Sequence, residues 1–138
     1  MIVKKENKLA VRRSENGLGL FTCVDILRDN FIIEYTGERI SVGEADRRGG
    51  KYLFEINPKW VIDAKSRKHL ARYINHGCRP NCEVINEGGE LNIYTKRTIK
   101  AGEELNYHYG KGYFEDHIKP IGCKCSYCLN KQKKRKGK

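Results

Sequence analysis

The chain has 138 residues, enough for one domain with a modest core, and 38% of them are hydrophobic against 33% charged. Its 28 Lys+Arg outnumber 17 Asp+Glu, giving a formal net charge of +11, a balance that favours nucleic acid, acidic protein surfaces or anionic ligands. No apolar run approaches the roughly 18 residues of a membrane span, and Met1-Ile2-Val3-Lys4-Lys5 lacks a signal-peptide core. An intracellular protein without membrane contact is therefore expected, and its six cysteines are expected as thiols or metal ligands before disulfides.

Leu9-Ala10-Val11-Arg12-Arg13 reads as a first strand, Ser14 to Gly19 as a turn, and Leu20-Phe21-Thr22-Cys23-Val24 as a second apolar run. Phe31-Ile32-Ile33-Glu34-Tyr35 is rich in β-branched and aromatic residues and predicts a strand that stops at Thr36-Gly37-Glu38. Ser41-Val42-Gly43-Glu44 has capping-box spacing, so a short helix is expected to start there and to end at Gly49-Gly50. Lys51 to Ile56 and Trp60 to Asp63 form a candidate hairpin around Asn57-Pro58-Lys59. Residues 66–74 carry the other helical pattern, with Leu70 and Ile74 four apart. Cys82 to Asn86 and Leu91 to Thr95 flank Glu87-Gly88-Gly89-Glu90, a strong hairpin signal. Ile99 to Tyr107 reads as a turn into a last strand. Many short strands with two brief helices predict a mainly β domain. Lys131 to Lys138 is a basic tail, expected to be disordered by itself.

The chemistry-bearing residues concentrate in Arg72-Tyr73-Ile74-Asn75-His76-Gly77-Cys78-Arg79-Pro80-Asn81. Two carboxamides, an imidazole and a thiol follow a short apolar segment there, and such groups are costly to bury unless each finds a partner. Cys123, Cys125 and Cys128 fall within six residues, a spacing that suits one tetrahedral, thiolate-loving ion, with zinc preferred. Cys78 is the first choice of fourth ligand and Cys82 the second; Cys23 reads as a plain core thiol. Three free thiols are the alternative. Gly17-Leu18-Gly19 by itself is weak, since a glycine turn needs no ligand. Tyr107 and Tyr109 alternate, so they share one strand face.

Gly17-Leu18-Gly19, Glu34-Tyr35-Thr36-Gly37-Glu38 and Val61-Ile62-Asp63-Ala64 resemble successive blocks of the SET-domain protein lysine methyltransferases. The segment from Arg72 to Cys82 is similar to that family's Asn-His-Ser-Cys-x-Pro-Asn motif. Gly102-Glu103-Glu104-Leu105-Asn106-Tyr107-His108-Tyr109 is similar to its Gly-Glu-Glu-Leu-x-x-Asp-Tyr motif. The cysteine cluster resembles the family's post-SET zinc site, in which Cys78 occupies the place of the fourth ligand. The blocks stand in family order and span Leu9 to Cys128.

The resemblance implies a β-clip fold of small curved sheets with short helices and a C-terminal pseudoknot, the Asn75–Asn81 segment threading under Leu105–Tyr109. It implies a catalytic domain over residues 1–119, a zinc-binding segment over 120–130 and the tail over 131–138. S-adenosylmethionine would be held by Gly17, Leu18, Gly19, Tyr52, Arg72, Asn75, His76 and Tyr109. Tyr109 would be the main catalytic tyrosine, with Tyr35 assisting and Tyr107 limiting the product to mono- or dimethyllysine. Zinc would sit on Cys78, Cys123, Cys125 and Cys128. The substrate would be a lysine-bearing protein or peptide, a histone among them, added as an extra strand. The protein would work in the cytoplasm, or in the nucleus on chromatin, with the basic tail reaching nucleic acid. Three positions depart from the family pattern: Gly77 stands for serine, His108 for aspartate, and two residues instead of four separate Cys125 from Cys128. A competing reading from the same residues is a zinc-stabilised basic module that binds nucleic acid or chromatin without catalysis.

Overall fold

A computed structural model describes the backbone of residues 2–4, 8–15 and 17–136, with the side chains of 2–4, 112 and 132–136 left aside. Leu9, Leu20, Ile74, Ile93, Ile99 and Leu105 are fully buried at the centre of the main apolar cluster. Around them lie three antiparallel sheets of three strands each and one two-stranded parallel pair. The domain is mainly β, as its strand-rich sequence predicts.

The first sheet orders β1 (Ile2–Lys4), β2 (Leu9–Ser14) and β3 (Gly17–Thr22). The expected glycine turn is tighter than the sequence suggests. Ser14 pairs with Gly17, Arg13 with Leu18 and Arg12 with Gly19, so the glycine segment is itself strand. Cys23, expected in the core, lies just past β3, half-buried, with Arg12 Nη2 at 3.9 Å from its sulfur. β3 stops at Thr22, whose hydroxyl turns back to the carbonyl of Val24, and the chain leaves the sheet there.

The second sheet pairs β4 (Phe31–Glu34) and β9 (Cys82–Glu87) on either side of β10 (Glu90–Thr95). Gly88 and Gly89 both have positive φ, at 65° and 94°, and close the β9–β10 hairpin in two residues; side chains are strained in that region and glycine is not. In the third sheet, β7 (Trp60–Asp63) lies between β5 (Glu38–Ser41) and β6 (Leu53–Glu55). Helix α1 (Val42–Arg48) begins at Ser41, whose hydroxyl accepts from Glu44 N at 3.1 Å. Glu44 does not complete the reciprocal half of a capping box. Its carboxylate takes Arg47 and Arg48 instead, and Arg48 bridges on to Glu38 and buried Asp63. The helix expected over 66–74 contracts to one 3-10 turn, Leu70–Tyr73.

The parallel pair is what positions the site. β8 (Asn75–His76) lies beside β11 (Asn106–Tyr107), Asn75 opposite Asn106 and His76 opposite Tyr107. A stretch of 29 residues separates these segments in sequence, so something besides two rungs must hold them. Asn81, 2% exposed, supplies it. Its Oδ1 accepts from Asn106 N at 2.9 Å, its N–H donates to Asn106 Oδ1 at 3.0 Å, and its Nδ2 donates to Glu104 O at 2.9 Å. Cys82, with its sulfur 3.3 Å from Asn81 Oδ1, is a core thiol.

After β11 come α2 (Lys111–Tyr113), one wide helical turn (Phe114–Ile118) and a 3-10 turn (Lys119–Ile121). Helix α3 (Ser126–Lys136) starts within the cysteine cluster and carries the chain through most of the segment expected to be disordered. Its Lys, Arg, Gln and Leu residues are good helix formers, and residues 137–138 of the tail lie outside the described residues. Replacing Asn81 by Ala leaves two backbone groups, Asn106 N–H and Glu104 C=O, without their side-chain partner. We expect a loss of about 3 kcal/mol in urea unfolding, whereas an Asn92→Ala control on β10 should stay near wild type.

Candidate active site

The two strands of the knot open onto a cleft of about 1160 Å³. Gly17, Leu18, Tyr35, Tyr52, Arg72, Asn75, His76, Tyr107 and Tyr109 all line it. Residues scattered over more than ninety positions are thus brought to one hollow. Gly19 is the exception among the candidates. A side chain there would collide with the Glu104 carboxylate and approach Asn75 Nδ2 at 3.3 Å, so Gly19 lets the wall close rather than forming it.

One end of the cleft is aromatic. Tyr35 packs on Phe54 with ring centroids 5.2 Å apart, Phe54 on Tyr107 at 6.0 Å, and Tyr107 on Tyr109 at 5.0 Å. Tyr113 adds a further ring, edge-on to Tyr109 at 5.5 Å. Each phenol is fixed by its setting. The Tyr35 hydroxyl donates to Tyr52 O at 3.2 Å, and that of Tyr109 donates to the carbonyl of Ile74. Burial drives the pKa of Tyr107 and Tyr109 well above the phenol range, and the other tyrosines raise it further. Burial does the same to Tyr35 although the Arg72 charge opposes it. All three phenols are therefore neutral near pH 7.

The other end is polar. Arg72 lies over the Tyr52 ring, its Cζ 3.7 Å from the centroid, with Nε donating to Ala64 O at 2.8 Å. Asn75 Nδ2 donates to Leu18 O at 3.0 Å and to Glu104 Oε2 at 2.8 Å, which ties the glycine strand to the knot. His76 faces inward. Its Nδ1 accepts the Tyr109 N–H at 3.1 Å and its Nε2 stands 3.4 Å from Cys78 Sγ. Accepting at Nδ1 puts the proton on Nε2, facing the thiol. Burial, then the neighbouring His108, lowers the imidazole pKa to about 4, so it is uncharged near neutrality.

That histidine connects the cleft to a second centre. Cys78, Cys123, Cys125 and Cys128 present four sulfur atoms within 4.8 Å of one another. Cys78 rather than Cys82 is the fourth member. Burial, reinforced by neighbouring thiols, holds the Cys78 thiol far above its usual range, and burial lifts Cys123 to about 11. Burial would also raise Cys125, but N–H groups of Cys128 and Cys78 and adjacent thiols bring it down to about 7. A cation bound among them would have to displace these protons, since the thiolate is the ligand form. Four thiolates around one point could hold a metal ion, and the donor set suits zinc. The two-residue gap between Cys125 and Cys128 is accommodated because α3 begins at Ser126, bringing Cys128 back within its first turn. Arg79 stacks on Tyr127 in this gap, 4.3 Å from the ring centroid.

The other departures also have structural answers. Gly77 lies against the Asn106 side chain, where an added Cβ would come within 2.6 Å of Oδ1 and 2.7 Å of Cγ. Asn106 thus occupies the volume that a residue-77 side chain would need. His108 Nδ1 accepts the Gly110 N–H at 3.0 Å, and its ring meets His76 edge-on at 4.5 Å. Asn106, Glu104 and Tyr113 were not singled out as site residues from the sequence. Glu104 and Asn106 stand inside a quoted motif, but their partners are remote in the chain and carry no local signal.

Residues 17–110 match the family described as SET domain, and the chain belongs to that family. Among its relatives, the histone-lysine N-methyltransferase ATXR7 of Arabidopsis thaliana is 40% identical over 129 residues, covering 83% of this chain and 9% of that protein. The histone-lysine N-methyltransferase trr of Drosophila melanogaster is 38% identical over 133 residues, with 88% and 5% covered. The H3 lysine-4 specific histone-lysine N-methyltransferase of Saccharomyces cerevisiae is 36% identical over 135 residues, with 88% and 12% covered. The chain therefore spans a small fraction of the length of these relatives.

The contact between positions 77 and 106 is testable by a double-mutant cycle. Gly77→Ala should cost about 2 kcal/mol by overpacking, and Asn106→Ala should cost a similar amount through the lost Asn81 bond. In the double variant the two losses should fall short of additivity, since the clash and its cause vanish together. Strict additivity in urea unfolding would show that the two side chains do not compete for one space.

Proposed function

We propose that this chain transfers a methyl group from S-adenosylmethionine to the ε-amino group of a lysine in a basic protein, histones being the substrate class. One observation carries this reading: a box of neutral aromatic side chains, Tyr35, Phe54, Tyr107 and Tyr109, closes the same cleft that Gly17, Leu18, Tyr52 and Asn75 line. The cleft volume suits a nucleoside-sized ligand. Gly17, where an added side-chain carbon would find open space, leaves room against the backbone. Arg72 and Lys124 bring positive charge to the lining for a ligand carboxylate. Gly17, Leu18, Tyr52, Arg72, Asn75, His76 and Tyr109 would hold the cofactor, with Gly19 keeping Glu104 and Asn75 in place behind them. The bound cofactor would supply an electrophilic methyl group on a sulfonium centre.

The chain's own part is positioning and desolvation. A free lysine amine has a pKa of about 10.4 and must lose its proton before it attacks. An aromatic box excludes water and so disfavours the ammonium form. The neutral phenols offer no anion to reverse that effect. Tyr109 donates a hydrogen bond to the Ile74 carbonyl, which leaves its oxygen lone pairs to accept from the amine N–H and aim the nitrogen. Tyr35, held on the Tyr52 carbonyl, and Tyr107 are the walls that set the space around it. His76 has both nitrogens engaged and is a positioning residue for Tyr109, not a base. Zinc on the four cysteines would fasten the segment carrying Lys124 against the cleft. Chromatin is the matching place of action, and the basic residues of 131–138 add a nucleic-acid contact.

Labelled S-adenosylmethionine with a lysine-bearing histone peptide tests this directly. Tyr109→Phe should lower kcat on the order of 100-fold, the usual scale for a lost polar contact in the transition state. Tyr107→Phe, which enlarges the box by one hydroxyl, should shift the products from mono- toward di- and trimethyllysine by mass spectrometry. Methyl transfer unaffected by Tyr109→Phe would contradict the assignment, and an unchanged product ratio would remove Tyr107 as the product limit.

A further inference from the structure

The sheet β4–β10–β9 buries one face in the core and turns the other outward. On the outward face, register aligns Phe31, Tyr94 and Glu83 in one row, and Glu34, Asn92 and Ile85 in the next. Glu90 and Glu87 form a third. Phe31 and Ile85 are 49% and 40% exposed, and Phe31 meets Tyr94 edge-on with centroids 5.8 Å apart. Leu27, 67% exposed, extends the apolar edge, because its carbonyl accepts from Thr95 Oγ1 at the end of β10. A chain with 28 Lys+Arg places none of them in these three strands, which carry four glutamates. At the hairpin tip, Arg39 Nη2 reaches the Gly89 carbonyl. Glu87 accepts from Tyr94 and from Asn92 Nδ2, so it is held in place as an anion.

An exposed aromatic and aliphatic strip edged by carboxylates fits a polypeptide that brings both arginine or lysine charge and hydrocarbon stems. The point gains weight from the rest of the molecule. At +11 overall, the chain repels a basic substrate at long range, whereas the strands of this face carry carboxylates and no Lys or Arg. It is also continuous with the cleft: β4 ends at Glu34, and the next residue, Tyr35, is a wall of the aromatic box.

We propose that the outward face of β4–β10–β9 is an exosite for an arginine- or lysine-rich segment of the polypeptide substrate. The identification of the bound segment as substrate rests on the lysine methyl transfer proposed above; the surface itself does not. The segment lies across Phe31, Tyr94 and Ile85, with its cations toward Glu83, Glu90 and Glu34, while a separate lysine of the same polypeptide enters the cleft.

The test uses the full chain and fluorescein-labelled oligoarginine, which carries no lysine to enter the cleft, with binding read by anisotropy in the absence of cofactor. Glu83→Lys/Glu90→Lys should weaken binding about ten-fold, the scale of a few reversed surface ion pairs. Phe31→Ser/Ile85→Ser should weaken it about three-fold by removing apolar contact. Should either variant fold poorly, hydrogen exchange on the wild-type protein gives the same answer: oligoarginine should protect residues 83–94. Equal binding by the charge-reversed protein, protection mapping elsewhere, or no binding at low salt overturns the exosite. Methyl transfer to a short lysine peptide is measured in parallel. Its absence, with oligoarginine still held on this face, defeats the proposed function and leaves the surface standing.

Discussion

The structure depends on one non-local contact, the reciprocal hydrogen bonding of Asn81 with Asn106 across the parallel pair Asn75–His76 and Asn106–Tyr107. Two rungs of parallel sheet are weak by themselves, and closing a loop of this length costs entropy. A buried carboxamide that satisfies two backbone groups, Asn106 N–H and Glu104 C=O, offsets that cost in one place. Losing it would expose the desolvation penalty of every partner at once. The candidate site inherits its geometry from this clamp. His76 and Tyr107 are fixed opposite each other, Tyr109 follows two residues later, and Asn75 reaches the glycine strand only because β8 lies where it does.

From the clamp, two centres become one unit. The His76 ring touches the Tyr109 backbone on one side and the Cys78 sulfur on the other. A metal on the four cysteines would pull the C-terminal segment, with Cys123 and Lys124, against the cleft they help to line. The aromatic box needs no metal to form, since its rings are packed on one another and the Tyr35 and Tyr109 hydroxyls are bonded within the protein. The metal's part would be to complete the cleft wall.

What the sequence disclosed follows the range of each interaction. The Ser41 cap, the Gly88–Gly89 hairpin and the strand at Phe31 are decided by residues within a few positions, and they read directly. The SET-domain motifs marked the cleft residues because their order along the chain is itself a signal, and they agreed with the preference for Cys78 over Cys82 that the residues themselves gave. Long-range choices were not legible. Nothing near Cys23 says that β3 ends one residue before it, and nothing near Gly19 says that Glu104 must occupy the space above it. Residues 66–74 kept only one helical turn, because Ile74 leaves helical geometry to lead into the knot. The departure at Gly77 lacks the serine hydroxyl, and what the sequence did not show is that Asn106, 29 residues further on, fills the volume a side chain there would need.

The charge distribution completes the account. On the proposed function, a basic domain acting on a basic polypeptide would need both a neutral, dry channel for one lysine and some surface that does not repel the rest. The buried tyrosines would meet the first need and the glutamate-bearing sheet face the second. The central claim is that the clamp and the cysteine cluster together shape a cleft for S-adenosylmethionine. Calorimetric titration of that cofactor into zinc-loaded protein, and into protein stripped by a chelator, tests it most directly. The account predicts saturable binding to the zinc-loaded chain and a marked loss after stripping. Absence of binding to the zinc-loaded chain would contradict it.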